Sequence, residues 1–397
     1  VYIHIPFCIQ RCSYCDFVTT VGMRAWMPAY VDALGAEIVS VLRAAPERVL
    51  VKTIYFGGGT PSLMQAAQVE RVIRLIQQET DIFSDAEITV EVNPGTVSAD
   101  WLFAVRDAGV NRLSIGMQSA DADELQMLGR IHPFAQTREV VAWARQAGFE
   151  NLSLDLIFSL PGQTMAVWQR SIEAALALQP EHLSLYALTL EPGTRLEQQV
   201  ASGSLPEPDG DLAAEMYGLA RAMLGAAGYS QYEISNWART RDGKSLASQH
   251  NLQYWRGLPY FGFGVGAHGY AAGVRTANVS GVDEYILRMR KDEALPYPAG
   301  KSVDVITRID IWTAIEEHMM MGLRLVDEGV SENQFRERFG VSIERCFGPQ
   351  IQKLMQQGLL EYVKQRGDYV LRLTPAAYFI SNRVFTEFVG NPNPLQQ

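Results

Sequence analysis

Cysteine is scarce in this chain, at four in 397 residues, and histidine is nearly as rare at six. So few thiols exclude a disulfide-stapled secreted scaffold. With no export signal in view, they point to a reducing, cytoplasmic compartment. No apolar run approaches the roughly 18 residues that would span a bilayer. Positive charge is also short: 34 Lys and Arg against 44 Asp and Glu leave a formal charge of −10. That balance argues against a nucleic-acid surface. The chain opens on Val1 rather than methionine, so a short preceding stretch is expected to be missing. What remains is the profile of a globular enzyme, 47% hydrophobic and 20% charged, long enough for two or three domains.

The few cysteines are concentrated. Cys8, Cys12 and Cys15 form a CxxxCxxC run in YIHIPFCIQRCSYCDF, just behind a short apolar strand, whereas Cys346 stands alone. Three thiolates in one loop match a [4Fe–4S] cluster with one iron free of protein ligands. An open coordination position of that kind can take a substrate or cofactor. Two other readings compete. Positions i, i+4 and i+7 also share a helical face, as in a buried cysteine stripe. Pro6 and the strand-like Val1–Ile5 weigh against a helix there. Structural zinc usually takes four ligands, and only His4 is at hand as a fourth.

The first half alternates strand and helix. Strands are predicted at Val1–Ile5, Val51–Phe56, Glu87–Val92, Arg112–Met117, Leu152–Phe158 and Leu183–Leu188. Amphipathic helices fall between them, for example at Ala29–Leu42, Gln65–Gln77, Ala99–Ala108 and Thr137–Ala147. This alternation gives an α/β fold with a parallel sheet and right-handed crossovers. Six such units, where a closed barrel needs about eight, predict a partial (β/α)6 barrel over residues 1–200, open on one side. Residues 201–300 read as a connecting segment: a loop at 203–211, a helix to about Ala227, strand-like YSQYEIS and glycine-rich FGFGVGAHG. After a linker at Ala294–Lys301, residues 301–397 read as a mostly helical, winged-helix-like domain. It has a helix over Val305–Leu323, later helices and two short strands around Arg366–Asp368. Acidic balance assigns this domain a packing or lid role instead of DNA binding.

Polar and glycine-rich motifs gather where these strands end. GGGTPS, Gly57 to Ser62, follows the second strand, and its glycines let backbone groups approach a ligand closely. Taken alone it is equally a tight strand–helix turn, and it is neither GxGxxG nor a phosphate loop. Glu91, Gln118 and Asp155 are placed at or beyond other strand ends, the rim that carries barrel active sites. Glu91 and Asp155 can accept from ribose hydroxyls or an amine, and Arg130 can pair with a carboxylate. The alternatives are that either carboxylate serves a core arginine and that Arg130 caps a helix.

With these motifs assembled, the chain resembles the radical S-adenosylmethionine (SAM) superfamily, marked by CxxxCxxC with aromatic Tyr14 before the third cysteine. YIHIPFC, GGGTPS, EVNPG, SIGMQS, LGRIH and DLIFSLPGQT are similar to the HemN/HemW group across nearly the whole chain. The resemblance implies a [4Fe–4S] cluster on Cys8, Cys12 and Cys15. It implies a SAM-binding set of Tyr2, Tyr14, Gly58, Gly59, Thr60, Glu91, Gln118, Arg130 and Asp155. Within the group, coproporphyrinogen dehydrogenases extend the motif to CxxxCxxCxC, whereas Asp16 and Phe17 follow Cys15 here. His250-Asn251-x-x-Tyr254-Trp255 matches the HNxxYW of the haem-chaperone branch. That branch implies haem b as cargo, apo-haemoproteins as partners and peripheral membrane association through those acceptors. A coproporphyrinogen dehydrogenase and a HemN-like radical SAM methyltransferase or cyclopropanase are the alternatives.

Haem needs an axial ligand and an apolar slot. His250 in HNLQYW and His268 in FGFGVGAHGY are the candidates, although each is equally a structural residue, and His268 equally a cover for adenine. His318 and Met319–Met321 form another candidate iron-binding patch that reads as helix packing. Anaerobic reconstitution is expected to give about four iron and four sulfide per chain. Cys346→Ala is expected to leave that count unchanged, and a lost cluster in this variant would show the ligands mis-assigned.

Overall fold

A computed structural model describes residues 1–291, 295–365 and 367–395, so Ala294 of the predicted linker and Arg366 of the predicted strand pair lie outside the described residues. Close packing divides the chain into two units. Val1–Met223 joins Pro259–Thr307, and Leu224–Leu258 joins the residues from Arg308 onward. The segment 201–300 is therefore shared between them.

In the first unit the strands are β1 (Tyr2–Ile5), β2 (Leu50–Gly58), β3 (Asp81–Val92), β4 (Arg112–Gln118), β5 (Leu152–Phe158) and β6 (His182–Ala187). Helices α1 (Met27–Arg43), α2 (Ala66–Glu79), α3 (Ala99–Asp107), α4 (Phe134–Gln146) and α5 (Met165–Ala177) alternate with them. Neighbouring strands pair in parallel throughout, giving the α/β partial barrel that the alternation predicts. α2 shows why these segments are helical. Val69, Val72, Ile73 and Ile76 are buried at i, i+3, i+4 and i+7, the spacing of one helix face. Side-chain caps set other starts: the Ser98 hydroxyl accepts from Trp101 N and that of Thr164 from Val167 N. β4 is almost wholly buried, as a strand covered on both faces must be.

An additional strand, β7 (Gly262–Phe263), pairs in parallel with β1 on its free edge, giving the order β7-β1-β2-β3-β4-β5-β6. One expectation is corrected here. The first part of the helix predicted over Val305–Leu323 is extended, since Val303–Arg308 is a strand beside the hairpin His268–Ala271/Val274–Asn278. The β-branched run VDVITR favours a strand. The Asp310 carboxylate then caps Thr313 N at 2.9 Å and starts the helix Ile311–Gly322.

In the second unit, helices Ile311–Gly322, Glu332–Phe339 and Ile343–Gln356 accompany an antiparallel sheet. Its strands are Val330–Ser331, Leu360–Gln365 and Asp368–Leu373, with Asp368–Leu373 in the middle. Helices around a two-strand wing match the winged-helix-like expectation. Among the described residues one helix, Arg24–Arg43, is long and apolar enough to cross a membrane. It is α1 with its leading turn, and its buried side carries a carboxylate.

That carboxylate, Glu37, is 1% exposed. It accepts from Gly264 N at 2.8 Å, Asn278 Nδ2 at 2.7 Å, Tyr285 Oη at 2.5 Å and the Ser302 hydroxyl. Two turns earlier, Tyr30 donates to the His4 carbonyl at 2.7 Å and accepts from Val265 N at 3.0 Å. Burial pushes the Glu37 carboxyl up, and these donors pull it back. Glu37→Ala would strand several buried donors and is expected to cost about 3–5 kcal/mol, with Glu37→Gln much milder. Urea unfolding measures the loss, and hydrogen exchange is expected to accelerate over residues 264–302 before it does in β4.

Candidate cofactor site

The site begins where β1 lies against the end of β2. A Cβ on Gly57 would stand 2.9 Å from the Tyr2 and Tyr55 rings. One on Gly58, whose φ is +112°, would stand 2.5 Å from the His4 ring. One on Gly59 would stand 2.9 Å from the carbonyl oxygens of Ile5 and Phe7. Packing against β1 thus requires all three glycines, so the tight-turn reading of GGGTPS holds whatever else the loop does. The turn also presents donors. Gly58 N donates to Glu91 Oε2 at 3.1 Å, and the Thr60 hydroxyl lies 3.5 Å from Cys8 Sγ. The Ser62 hydroxyl accepts from Asn93 N at 3.1 Å, tying this turn to EVNPG.

The cysteine loop leaves β1 and returns beside it. Phe7–Cys8 pairs in parallel with Thr20–Val21, and Thr20 N donates to Pro6 O at 2.7 Å. His4 closes the loop: Tyr2 Oη lies 3.0 Å from its Nδ1, and its Nε2 meets Val18 O at 2.8 Å. With both ring nitrogens engaged, His4 is no fourth metal ligand. Ser13 N donates to Leu128 O at 3.0 Å, seating the loop on the LGRIH turn. A short loop between strands, with no continuous helix through it, ends the cysteine-stripe reading.

Cys8, Cys12 and Cys15 are free and half-buried on this loop, and Cys346 is buried in the helix Ile343–Gln356 of the other unit. Among the described residues no three His, Cys, Asp or Glu side chains gather as ligands of a single metal ion. This disfavours structural zinc, whose ligands must all meet one ion. A cluster asks less of them, since each thiolate binds its own iron. The donor set fits that demand. Burial pushes the Cys8 and Cys15 thiols up, so their thiolates call for a cation. Donors to sulfur are in place as well, the Thr60 hydroxyl at Cys8 and Arg130 Nη1 at 3.5 Å from Cys12 Sγ.

Arg130 caps no helix. Its Nη2 donates to Gly116 O at 3.0 Å, and its buried Nε has no partner. A Cβ on Gly116 would stand 2.9 Å from Gln118 Nε2 and 3.0 Å from Arg130 Nη2, so both side chains converge over that glycine. Gln118 holds φ +64°, a conformation rare for a non-glycine residue at a strand end. The Tyr14 phenol is buried beside Arg130 and Cys12, and burial raises it despite the guanidinium.

Glu91 accepts from Tyr55 Oη at 2.8 Å as well as from Gly58 N. Burial, reinforced by Asp155, pushes its carboxyl up to about 7 against these hydrogen bonds. Asp155 lies in mid-strand, below the predicted strand end, and the Ser114 hydroxyl donates to it at 3.1 Å. Burial raises it too. The core arginine pairs instead with Glu87: Arg112 Nε is 3.9 Å from Glu87 Oε2. Sequence reading missed Tyr55, Ser114 and the role of His4. Alternation along β2 and β4 could have put Tyr55 and Ser114 on the inner face.

The haem candidates differ. His250 is buried in the helix Gln249–Trp255, with Nε2 at 3.0 Å from Tyr254 Oη and Nδ1 at 3.3 Å from Gln253 Nε2. Both nitrogens are engaged, so His250 offers iron no free lone pair in this conformation. His268 is exposed on its hairpin. His318 packs on Phe335 and Phe339, and Met319 is fully buried, as helix packing requires.

The profile of the radical SAM superfamily matches residues 2–175, and that of the HemN C-terminal domain residues 309–380. Among solved structures the chain superimposes on coproporphyrinogen III oxidase (HemN) from Escherichia coli, a radical SAM enzyme. The TM-score is 0.81 over 98% of this chain and 89% of that one, at 21% identity, a likeness of fold. The class is therefore a radical SAM protein with a HemN-type C-terminal domain, which implies a [4Fe–4S] cluster and SAM. Two curated relatives narrow it: the haem chaperone HemW of Bacillus subtilis is 38% identical over 98% of both chains. That of Lactococcus lactis is 36% identical over 98% of this chain and 96% of its own. The chain belongs to the HemW family, as its motifs implied.

Because the folded protein holds a proton on Glu91 to a higher pH than the unfolded chain does, stability is expected to fall as pH rises from about 4.5 through about 7. Urea titrations across that window are expected to show a loss on the order of 3 kcal/mol, flattened in Glu91→Gln. An unchanged slope in the variant would remove Glu91 as its source.

Proposed function

We propose that this chain carries haem b and hands it to apo-haemoproteins. The observation that carries this reading is similarity along the whole length, C-terminal domain included, to relatives named haem chaperones. Phe17 supports it. This residue occupies the place of the dehydrogenases' further cysteine and is 61% exposed.

In this reading Cys8, Cys12 and Cys15 hold the cluster. Bound there, cluster and SAM would supply one-electron chemistry. The chain's own residues bind, orient and shield. Thr60 and Arg130 donate to the cysteine sulfurs, a lever on cluster potential. Arg130 pairs with the carboxylate of SAM, and Gln118 beside it limits how that end can turn. Gly58 and Gly59 bring bare backbone to the methionine end. Glu91 and Asp155 accept from the ribose, and Tyr2 and Tyr14 wall the site. Acceptors are apo-haemoproteins such as respiratory enzymes, the compartment is the cytoplasm, and membrane contact arises only through acceptors.

The test loads the anaerobically reconstituted chain with haem b and mixes it with an apo-respiratory enzyme. Acceptor activity is expected to recover faster than with free haem, while coproporphyrinogen supplied with SAM and reductant stays unconverted. A chain that binds no haem but makes protoporphyrinogen would replace the carrier reading with the dehydrogenase one.

A further inference from the structure

The rim of the cysteine loop is more apolar than a water-facing loop should be. Ile9, Phe17, Val21 and Trp26 are 50%, 61%, 48% and 44% exposed, all within eighteen residues of chain beside the cysteines. Val21 is the register partner of Cys8, so this strip borders the candidate cluster directly. In a chain of net charge −10 the same strip carries Arg11 and Arg24 against one carboxylate, Asp16. Arg11 donates only to the carbonyls of Cys15, at 3.2 Å, and Phe17, at 3.3 Å. Among the described residues neither arginine has an ion-pair partner. Clustered exposed apolar side chains mark an interaction site, and guanidinium groups without counter-ions select a ligand that brings carboxylates.

His268 stands next to this strip. A Cβ on Gly266 would lie 2.8 Å from Val18 Cγ2, which puts the turn two residues before His268 in contact with the loop beside Phe17. His268 faces solvent at the start of its hairpin, on the same face as Tyr270, and among the described residues no hydrogen bond holds its ring. His250, His4 and His318 all have ring nitrogens engaged.

Resting on the carrier reading above, we infer that haem docks on the rim formed by Phe17, Val21 and Trp26, with the His268 imidazole as axial ligand and Arg11 and Arg24 pairing its propionates. The occupant must be flat and apolar, offer a metal that takes a neutral imidazole, and carry carboxylates. Haem b meets all three demands. SAM meets only the last, since it is a cation with one carboxylate. This placement puts haem against the cysteine loop, so whatever occupies the cluster site can bias its release.

The test titrates the full reconstituted chain with ferric haem b and follows the Soret band and the dissociation constant. His268→Ala is expected to shift the band and weaken binding about tenfold or more, and free imidazole is expected to restore the band. Phe17→Ser and Arg24→Glu are expected to weaken binding without moving it, and His250→Ala to match wild type. Wild-type haem binding that His268→Ala leaves unaltered in band and affinity overturns this inference and spares the carrier reading. The inference also fails if His268→Ala loses SAM affinity while keeping haem, which would assign the ring to adenine. If the wild type binds no haem, the carrier reading itself falls.

Discussion

A single carboxylate shielded from solvent fixes where the later half of the first unit sits. An ionised side chain with so little exposure costs several kcal/mol unless donors surround it. For Glu37 those donors come from Gly264, Asn278, Tyr285 and Ser302, all more than two hundred residues further along the chain. Those four bonds pin Gly264, Asn278, Tyr285 and Ser302 over α1. The edge strand β7, the hairpin bearing His268 and the contact between Gly266 and Val18 inherit their positions from them. Tyr30 extends the same tie to the backbone of β1 and so to the cysteine loop.

The site inherits a second constraint. β1 lies on the Gly57–Gly59 turn with no space for a side chain, and His4 fills the gap while holding Val18 O. The cysteine loop therefore begins and ends on a rigid base, and only its middle faces the barrel mouth. Burial keeps Glu91 and Asp155 reluctant to ionise, and Arg130 stands at the cysteine loop beside Cys12. A zwitterion that brings its own charges suits such a site.

Much of this was legible in the chain. β1 to β6 and the early helices follow from apolar periodicity, and the cysteines from spacing alone. What escaped did so for physical reasons. β7 is two residues long and has no period to detect. Glu37 sits in a helix where a charged residue ordinarily marks the wet face, and its partners are remote in sequence. Val303–Arg308 alternates poorly with helix-compatible neighbours, so the Asp310 cap was the one local sign of where the helix starts. Asp155 is the fourth of seven residues in Leu152–Phe158, predicted and observed alike, so its mid-strand position was legible and its expected place at the strand end did not follow from the pattern. His250 stood out because aromatics flank it, and those same aromatics engage its ring.

Each unit is stitched from two stretches of chain, with Leu224–Leu258 interposed before the first is complete. During synthesis the consequence is a delay. Glu37 leaves the ribosome 227 residues before Gly264, its first distant donor. At roughly 5–20 residues per second that interval is about ten to forty-five seconds. Until it closes, α1 has a bare carboxylate on its inner side, β1 has an unpaired edge, and nothing from 264–302 lies against Val18. The nascent chain thus holds its three thiols in an unfinished enclosure for many seconds.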